Sequence, residues 1–331
     1  MSPVLQSEAT TARPPATGPE PIPLWQTAAI GTLLLWLYIP MLLHLVRQWW
    51  NDPNFSHGFF VPLFSAFVIW QERSRLKHLS PRPSWWGLLF LASGLCVLIT
   101  GASSGIGAAL VPAYRKLGYA VVAVARSVAE SDDPEVLAVP VDVAEHGAGD
   151  RIVEAALSRF GRIDTLVNNA GVFIGKPFTD YTDEDYDAVT GVNLRGFFEV
   201  SRRAIAAMLT RDGGGDDRGG HVVNISTSLV DHADSRIPSA LASLTKGGLN
   251  AVTKALAIEY AGRGLRVNAV ALGVIRTPMH APDTYDALAT LHPLGRIGEI
   301  GDVVDAIVYL ENAPFVTGDI LHVDGGQSAG R

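Results

Sequence analysis

The 331-residue chain has a single cysteine, Cys96. No disulfide can form within it, which fits a reducing compartment. Positive charge is scarce where a nucleic-acid binder would need it. After Gly94 there are 20 Lys and Arg against 29 Asp and Glu, a net of −9. Neutralising phosphates takes clustered cations, so this composition argues against a nucleic-acid partner.

The first 94 residues are of another kind. They hold six basic and four acidic residues, a net of +2. Hydrophobic residues make up 48% of the chain and the mean hydropathy is positive. A basic apolar head on an acidic body implies two separate pieces. Residues 1–23 are rich in Pro, Ala, Thr and Ser and lack apolar periodicity, so they read as a disordered tail. They also lack the basic-then-apolar order of a signal peptide. Residues 24–46 are nearly all apolar. At ~1.5 Å per residue that run can cross ~30 Å of hydrocarbon. A buried core helix is the alternative, and the want of a polar stripe argues against it. Pro40 is placed to kink the run. A shorter apolar run, 55–70, can span, re-enter or lie at the interface; spanning is the preferred reading. The segment "QERSRLKHLSPR" follows, and its four Lys and Arg belong on the cytoplasmic side. The run 85–99 has only 15 residues, short for a span.

From Cys96 onward the pattern changes. "CVLIT", "YAVVAVA", "VLAVPVDV", "DTLVNNAG", "GHVVNIS", "RVNAVAL" and "DILHVDGG" read as seven strands with helical stretches between them. Such alternation builds a parallel sheet with helices on both faces. "TGASSGIG", residues 100–107, sits where the first strand hands over to a helix. Glycines there permit a tight turn and close approach of a pyrophosphate to the helix N-terminus. Taken alone, such a loop can equally be a plain turn.

More matches follow in order: Asp142 after the third strand, "NNAG" at 168–171, Asn193 in "VNLRG", Lys246 in "TKGG", "RVNAVALGVIRTPM" at 266–279 and "VTGDILHVDGG" at 316–326. Residues 96–331 together resemble the short-chain dehydrogenase/reductase family. The resemblance implies a Rossmann-type doubly wound α/β fold, a nicotinamide dinucleotide cofactor, a small alcohol or carbonyl substrate and a homo-oligomer; no metal is expected. It also implies roles. Gly101, Ser103, Ile106 and Gly107, with Ser104 beside them, would hold the cofactor phosphates. Asp142 and Val143 would touch the adenine. Asn169, Ala170 and Gly171 would line the central cleft, and Ile275 and Thr277 the nicotinamide end. Lys246 would hold the ribose, and Asn193 would anchor a water of the proton relay.

An NAD site usually has an acid at the end of the second strand to bind the ribose hydroxyls. Here Ala125-Arg126 stands there. A guanidinium can instead pair with a 2′-phosphate, so NADP is expected ahead of NAD. The plainer alternative makes Arg126 a solvated loop residue.

The catalytic set is incomplete. The family pairs a tyrosine with the lysine four residues later, one helical turn away, so that the cation lowers the phenol's pKa. In "PSALASLTKGG" that place holds Ala242. Alanine has no proton to give. Ser243, His232 and bound water are substitute donors to consider. "NISTSLVD" offers three hydroxyls for polarising the carbonyl: Ser226, Thr227 and Ser228. Ser228, 14 residues before Ala242, matches the family's separation best, and Thr227 ranks next; any of the three could simply cap a strand end. Pro112 falls inside the first helix, where it should cost about 3 kcal/mol or force a kink.

The stretch "DPNFSHGF", with its flanks, resembles the N-terminal part of exosortases, membrane-embedded cysteine transpeptidases, over residues 24–95. The helices that carry that family's Cys, Arg and His are missing. The head therefore reads as an α-helical membrane segment, an anchor or fusion remnant with two spans and a truncated third. The junction falls near 94–96, with "CVLIT" as the first strand of the sheet. The body would then face the cytoplasm from a bacterial inner membrane. Three readings result: a tethered NADP-preferring oxidoreductase, a cofactor-holding regulatory module without chemistry, and a transpeptidase remnant.

Overall fold

The apolar run Cys96–Thr100 forms β1, buried at every position. Its neighbour β2, Ala120–Ala125, is equally buried. Near-continuous burial of short β-branched runs is what a parallel sheet covered on both faces requires. The remaining strands are β3 (Val136–Pro140), β4 (Thr165–Asn168), β5 (His221–Thr227), β6 (Arg266–Leu272) and β7 (Ile320–Val323). All seven are parallel, in the order β3-β2-β1-β4-β5-β6-β7. This is a Rossmann-type sheet. The computed structural model describes residues 94–210 and 219–330. The expected tail, the apolar runs 24–46 and 55–70 and the basic segment after them lie outside the described residues. Among the described residues no helix is long and apolar enough to cross a membrane.

The helices are α1 (Gly105–Lys116), α2 (Ala148–Phe160), α3 (Asp183–Thr190), α4 (Phe197–Leu209), α5 (Ala240–Tyr260), α6 (Tyr285–Ala289) and α7 (Ile300–Asn312). Alternate strand residues serve opposite faces, as the two-residue period demands. Cys96 and Leu98 join one core with Ile152 of α2 and Val200 and Ala204 of α4. Val97 and Ile99 join the other with Leu110 of α1 and Ile307 of α7. Pro112 is tolerated inside α1, which runs unbroken past it. The proline is exposed, so its ring lies on the solvent side of the helix.

At the strands' N-terminal end, a buried polar cluster ties α7 to the sheet. Glu311 accepts hydrogen bonds from Tyr114, Tyr119, Thr165 and His221. Burial would raise the carboxyl's pKa; the donors, His221 first, overturn this and hold it at about 2. His221 is itself pushed below its usual range by burial, and we take it as neutral. Its Nδ1–H then donates to Glu311, and its Nε2 accepts from Asn268 Nδ2 at 3.2 Å.

The order of the sheet reverses between β1 and β4, β1 being followed on one side by β2 and on the other by β4. In open α/β sheets the crevice at such a point, beyond the strands' C-terminal ends, is where ligands bind.

Candidate active site

A cleft of about 700 Å³ opens there. Its floor begins with the glycine loop. Gly101 and Gly105 hold φ of +69° and +55°, in the left-handed region that favours glycine. A Cβ on Gly101 would come within 2.9 Å of Asn169 Nδ2 and 3.0 Å of Ala170 Cα. Asn169 in turn donates from Nδ2 to the carbonyls of Thr100 and Gly101, at 2.9 and 3.2 Å. Thr100 Oγ1 accepts from the backbone N–H of Asn169 and Ala170, both at 3.0 Å. Loop and "NNAG" segment thus fix each other. Gly101, Ser103, Ser104 and Ile106 line the cleft. Gly107 does not: it is buried against the loop, where a Cβ would stand 2.2 Å from Gly101 O. There its lack of a side chain lets α1 pack close against the loop.

Along the cleft, Arg126 follows the last residue of β2 and is exposed, with no hydrogen bond or ion pair among the described residues. Asp142 keeps its carboxylate in place by accepting from Ala144 N at 2.9 Å. Val143, Asn169, Ala170 and Gly171 also line the cleft.

At the other end stands Lys246, on α5. Its Nζ donates to Ile225 O at 2.7 Å. Burial, with no carboxylate to offset it, lowers its pKa to about 8. A Cβ at Gly171 would lie 3.3 Å from this nitrogen, so the ammonium sits against the cleft wall. Ile275 and Thr277 line the cleft as well. Asn193 is buried in the π-helical turn Gly191–Gly196 between α3 and α4, a helix irregularity often found at functional sites. Its side chain accepts from Val172 N and donates to Val172 O and Thr245 Oγ1. It lies behind the cleft wall rather than on it.

A family model described as enoyl-(acyl carrier protein) reductase matches residues 101–328. The chain is 36% identical over 260 residues to 3beta-hydroxysteroid dehydrogenase 1 of Eggerthella lenta, covering 71% of this chain and 94% of that one. The chain belongs to the short-chain dehydrogenase/reductase family. Among solved structures it is similar to a 3-ketoacyl-(acyl-carrier-protein) reductase from Brucella melitensis complexed with NADH. That likeness has 34% identity and a TM-score of 0.64, over 71% of this chain and 99% of that one. ElxO with NADP bound is similar at 27% identity and a TM-score of 0.64, over 72% and 100%. A second family model, of transmembrane exosortases, matches residues 49–131. From Cys96 on, that match lies in β1, α1 and β2, inside the dehydrogenase sheet.

Ser228 is fully buried and faces away from the cleft. A one-turn 3₁₀ segment, Ser228–Val230, begins at that residue. It turns the hydroxyl inward, to donate to Asp324 Oδ2 at 2.8 Å. Thr227, the last residue of β5, lines the cleft instead. Its hydroxyl has only long partners, Leu272 O and Leu229 N, both at 3.3 Å. The substitute donors Ser243 and His232 do not line the cleft either, and Ser243 Oγ is directed at Leu229 O.

Sequence reasoning passed over three polar residues that the fold brings to this cleft, Arg236, His280 and Gln327, and ranked Ser226, which also lines it, behind Ser228 and Thr227. Ser226 Oγ and Gln327 Nε2 are buried without a hydrogen-bond partner among the described residues. Arg236 is ion-paired with Asp234. Burial depresses the His280 imidazole below its usual range. Apolar side chains, Phe173, Ile237, Met279 and Leu288 among them, complete this end.

Proposed function

We propose that the chain is an NADP-preferring oxidoreductase acting on an alcohol or carbonyl compound, with its usual catalytic tyrosine replaced by Ala242. A nicotinamide dinucleotide suits the residues present. The cradle formed by Gly101 and Asn169 admits no extra side-chain atom, and buried polar atoms, Ser226 Oγ and Gln327 Nε2, still want partners. When bound, the nicotinamide supplies or accepts a hydride. The chain's own groups do the rest. Free N–H groups at the start of α1, where no side chain caps them, hold the pyrophosphate. Asp142 and Val143 flank the adenine, Lys246 holds the ribose hydroxyls, and Ile275 and Thr277 wall the nicotinamide. Thr227 takes the carbonyl-polarising part expected of Ser228. Asn193 steadies the wall beside Gly171 and Val172.

The observation that carries the NADP preference is Arg126, exposed at the end of β2 with no partner of its own among the described residues. No acid stands there to bind ribose hydroxyls. A 2′-phosphate offers the guanidinium a paired, charge-assisted contact.

Ala242 favours a second reading, a module that binds cofactor and does no chemistry. Titration of the full chain with NADPH, followed by a scan of carbonyl substrates, separates the two: binding without turnover of any substrate supports the module. The transpeptidase reading loses its nucleophile. Cys96 is buried in β1, and burial pushes its thiol far above the usual range.

The proposal extends to location: the first 95 residues tether the body to a bacterial inner membrane, with the dehydrogenase, as a homo-oligomer, in the cytoplasm. Reporter fusions after Arg82 and after Arg331 should then report one compartment. Opposite compartments would remove this topology.

A further inference from the structure

The loss of the phenol leaves open which group protonates the substrate oxygen. Five titratable side chains line the cleft: Arg126, Asp142, Arg236, Lys246 and His280. The arginines keep their protons at any working pH. Asp142 lies by the strand ends β2 and β3, at the adenosine end. That leaves Lys246 and His280.

We propose that Lys246 is itself the proton donor to the substrate carbonyl oxygen, taking over from the absent tyrosine. The inference rests on the oxidoreductase reading above. Its basis is helix geometry. Long side chains on a helix lean toward its N-terminus and cover the preceding turn. One turn before Lys246 stands Ala242, whose methyl reaches no farther than Cβ. The lysine chain therefore leans over the place from which a tyrosine would extend. Nζ uses one proton on Ile225 O; of the two left, one serves the ribose and one is free for the substrate oxygen. Ile225 is two residues before Thr227 on β5, about 7 Å along the strand, so ammonium and hydroxyl serve one stretch of wall. His280 belongs to the segment after β6, three residues beyond Thr277, which stands next to Gly105 of the glycine loop.

The surroundings keep this ammonium acidic. The segment after β4 presents Asn169 and Gly171, the π-helical turn presents Asn193, the end of β5 presents Ile225, Ser226 and Thr227, and α5 itself presents Thr245. All are neutral. The charged groups elsewhere in the cleft are the four already named. Burial alone brings the lysine to about 8, near enough to neutrality for acid–base work. In reduction, the carbonyl carbon gains a hydride drawn from the reduced nicotinamide, and the carbonyl oxygen gains a proton from Nζ. The alcohol leaves, and the neutral amine recovers its proton from water.

Two measurements test this on the full chain. The first is acetic anhydride labelling of Lys246 in cofactor-free protein across pH 6–11, read by peptide mass spectrometry. Its midpoint should fall near 8, not at the ordinary ~10.4 of lysine. The second is the pH profile of carbonyl reduction at saturating NADPH for the unaltered chain, Lys246→Arg and His280→Gln. The unaltered chain should be fast at low pH and lose about tenfold per unit above the lysine's pKa. Arginine keeps the charge but not the exchangeable proton, so Lys246→Arg should lose about 100-fold or more and show no such limb. His280→Gln should keep the limb. A labelling midpoint at or above ~10, a limb that survives in Lys246→Arg, a limb abolished in His280→Gln, or bound cofactor with no reduction at any pH each overturns the proposal. Failure to bind NADPH or NADH at all would instead overturn the function it rests on.

Discussion

At the adenosine end of the cleft, loop 100–107 and the pair Asn169-Ala170 are locked together by four hydrogen bonds. Gly101 and Gly107 admit no side chain, and Arg126 stands exposed beside them. At the other end Lys246 is in place, Ala242 stands one turn before it, Ser228 is turned inward and Thr227 lines the cleft. One fold holds both ends, and on the function proposed above only the second lacks a side chain that its task calls for. Binding a dinucleotide needs backbone geometry and a few fixed donors. Moving a proton needs one group with the right pKa in one position. The first demand is spread over many residues. The second can be lost at a single codon.

The largest break in that comparison should come from Gly107→Val. Its Cβ would overlap Gly101 O, and neither backbone can yield without moving the loop. NADPH affinity should fall by about 100-fold, matching the ~3 kcal/mol upper range of overpacking strain. Isothermal titration checks it, and a melting curve separates binding loss from unfolding.

Ala242→Tyr probes the other end. It places a phenol one turn before Lys246. Reduction should rise, by less than the full ~10²–10⁴ that a positioned acid contributes, because the lysine already supplies part of it. Ala242 is buried, so neighbouring side chains must give way. Steady-state rates at saturating NADPH decide. A rate no higher than that of the unaltered chain, in protein with an unchanged melting curve, would show that the reactive end has no place for a phenol.

Arg126→Asp sharpens the first half. NADPH affinity should drop roughly 10–100-fold, the worth of a hydrogen-bonded charge pair, while NADH binding holds or improves. Fluorescence titration with both nucleotides reads the ratio.

Glu311→Gln is the smallest change and the control. The cluster lies at the far end of the sheet, so NADPH affinity should stay as it was. Stability should fall by about 1 kcal/mol, because neutral partners replace charge-assisted ones. The sign with pH follows from a folded-state pKa of about 2, below the ordinary 4.5. This carboxylate's stabilisation is complete above the ordinary value and is lost as pH falls toward 2. Denaturant melts at pH 7 and pH 3 should therefore differ more in the unaltered chain than in Glu311→Gln.

Much of this fold was legible in the residues, for physical reasons. Strand runs such as "CVLIT" and "RVNAVAL" are short, apolar and β-branched because a two-sided sheet buries them. The glycine loop was legible because its φ angles demand glycine. That Cys96 opens β1 followed from the same logic. The inward direction of Ser228 was not legible, because counting residues back from Ala242 says nothing of where a side chain points. The 3₁₀ turn sends its side chain to Asp324, which is 96 residues away in sequence, and no local pattern announces such a partner. Gln327 and His280 reach the cleft from separate connections after β7 and β6. Their approach depends on how those segments fold back over the strand ends, which composition and spacing do not encode.

On the function proposed above, the adenosine end is a working NADP site although Ala242 stands at the reactive end. Parallel titrations of the full chain with NADPH and NADH, at one ionic strength, test it most directly. Saturable binding of both, with NADPH roughly tenfold or more the tighter, is the expected result. Equal affinity would take the 2′-phosphate contact away from Arg126. No binding of either nucleotide would contradict the claim outright.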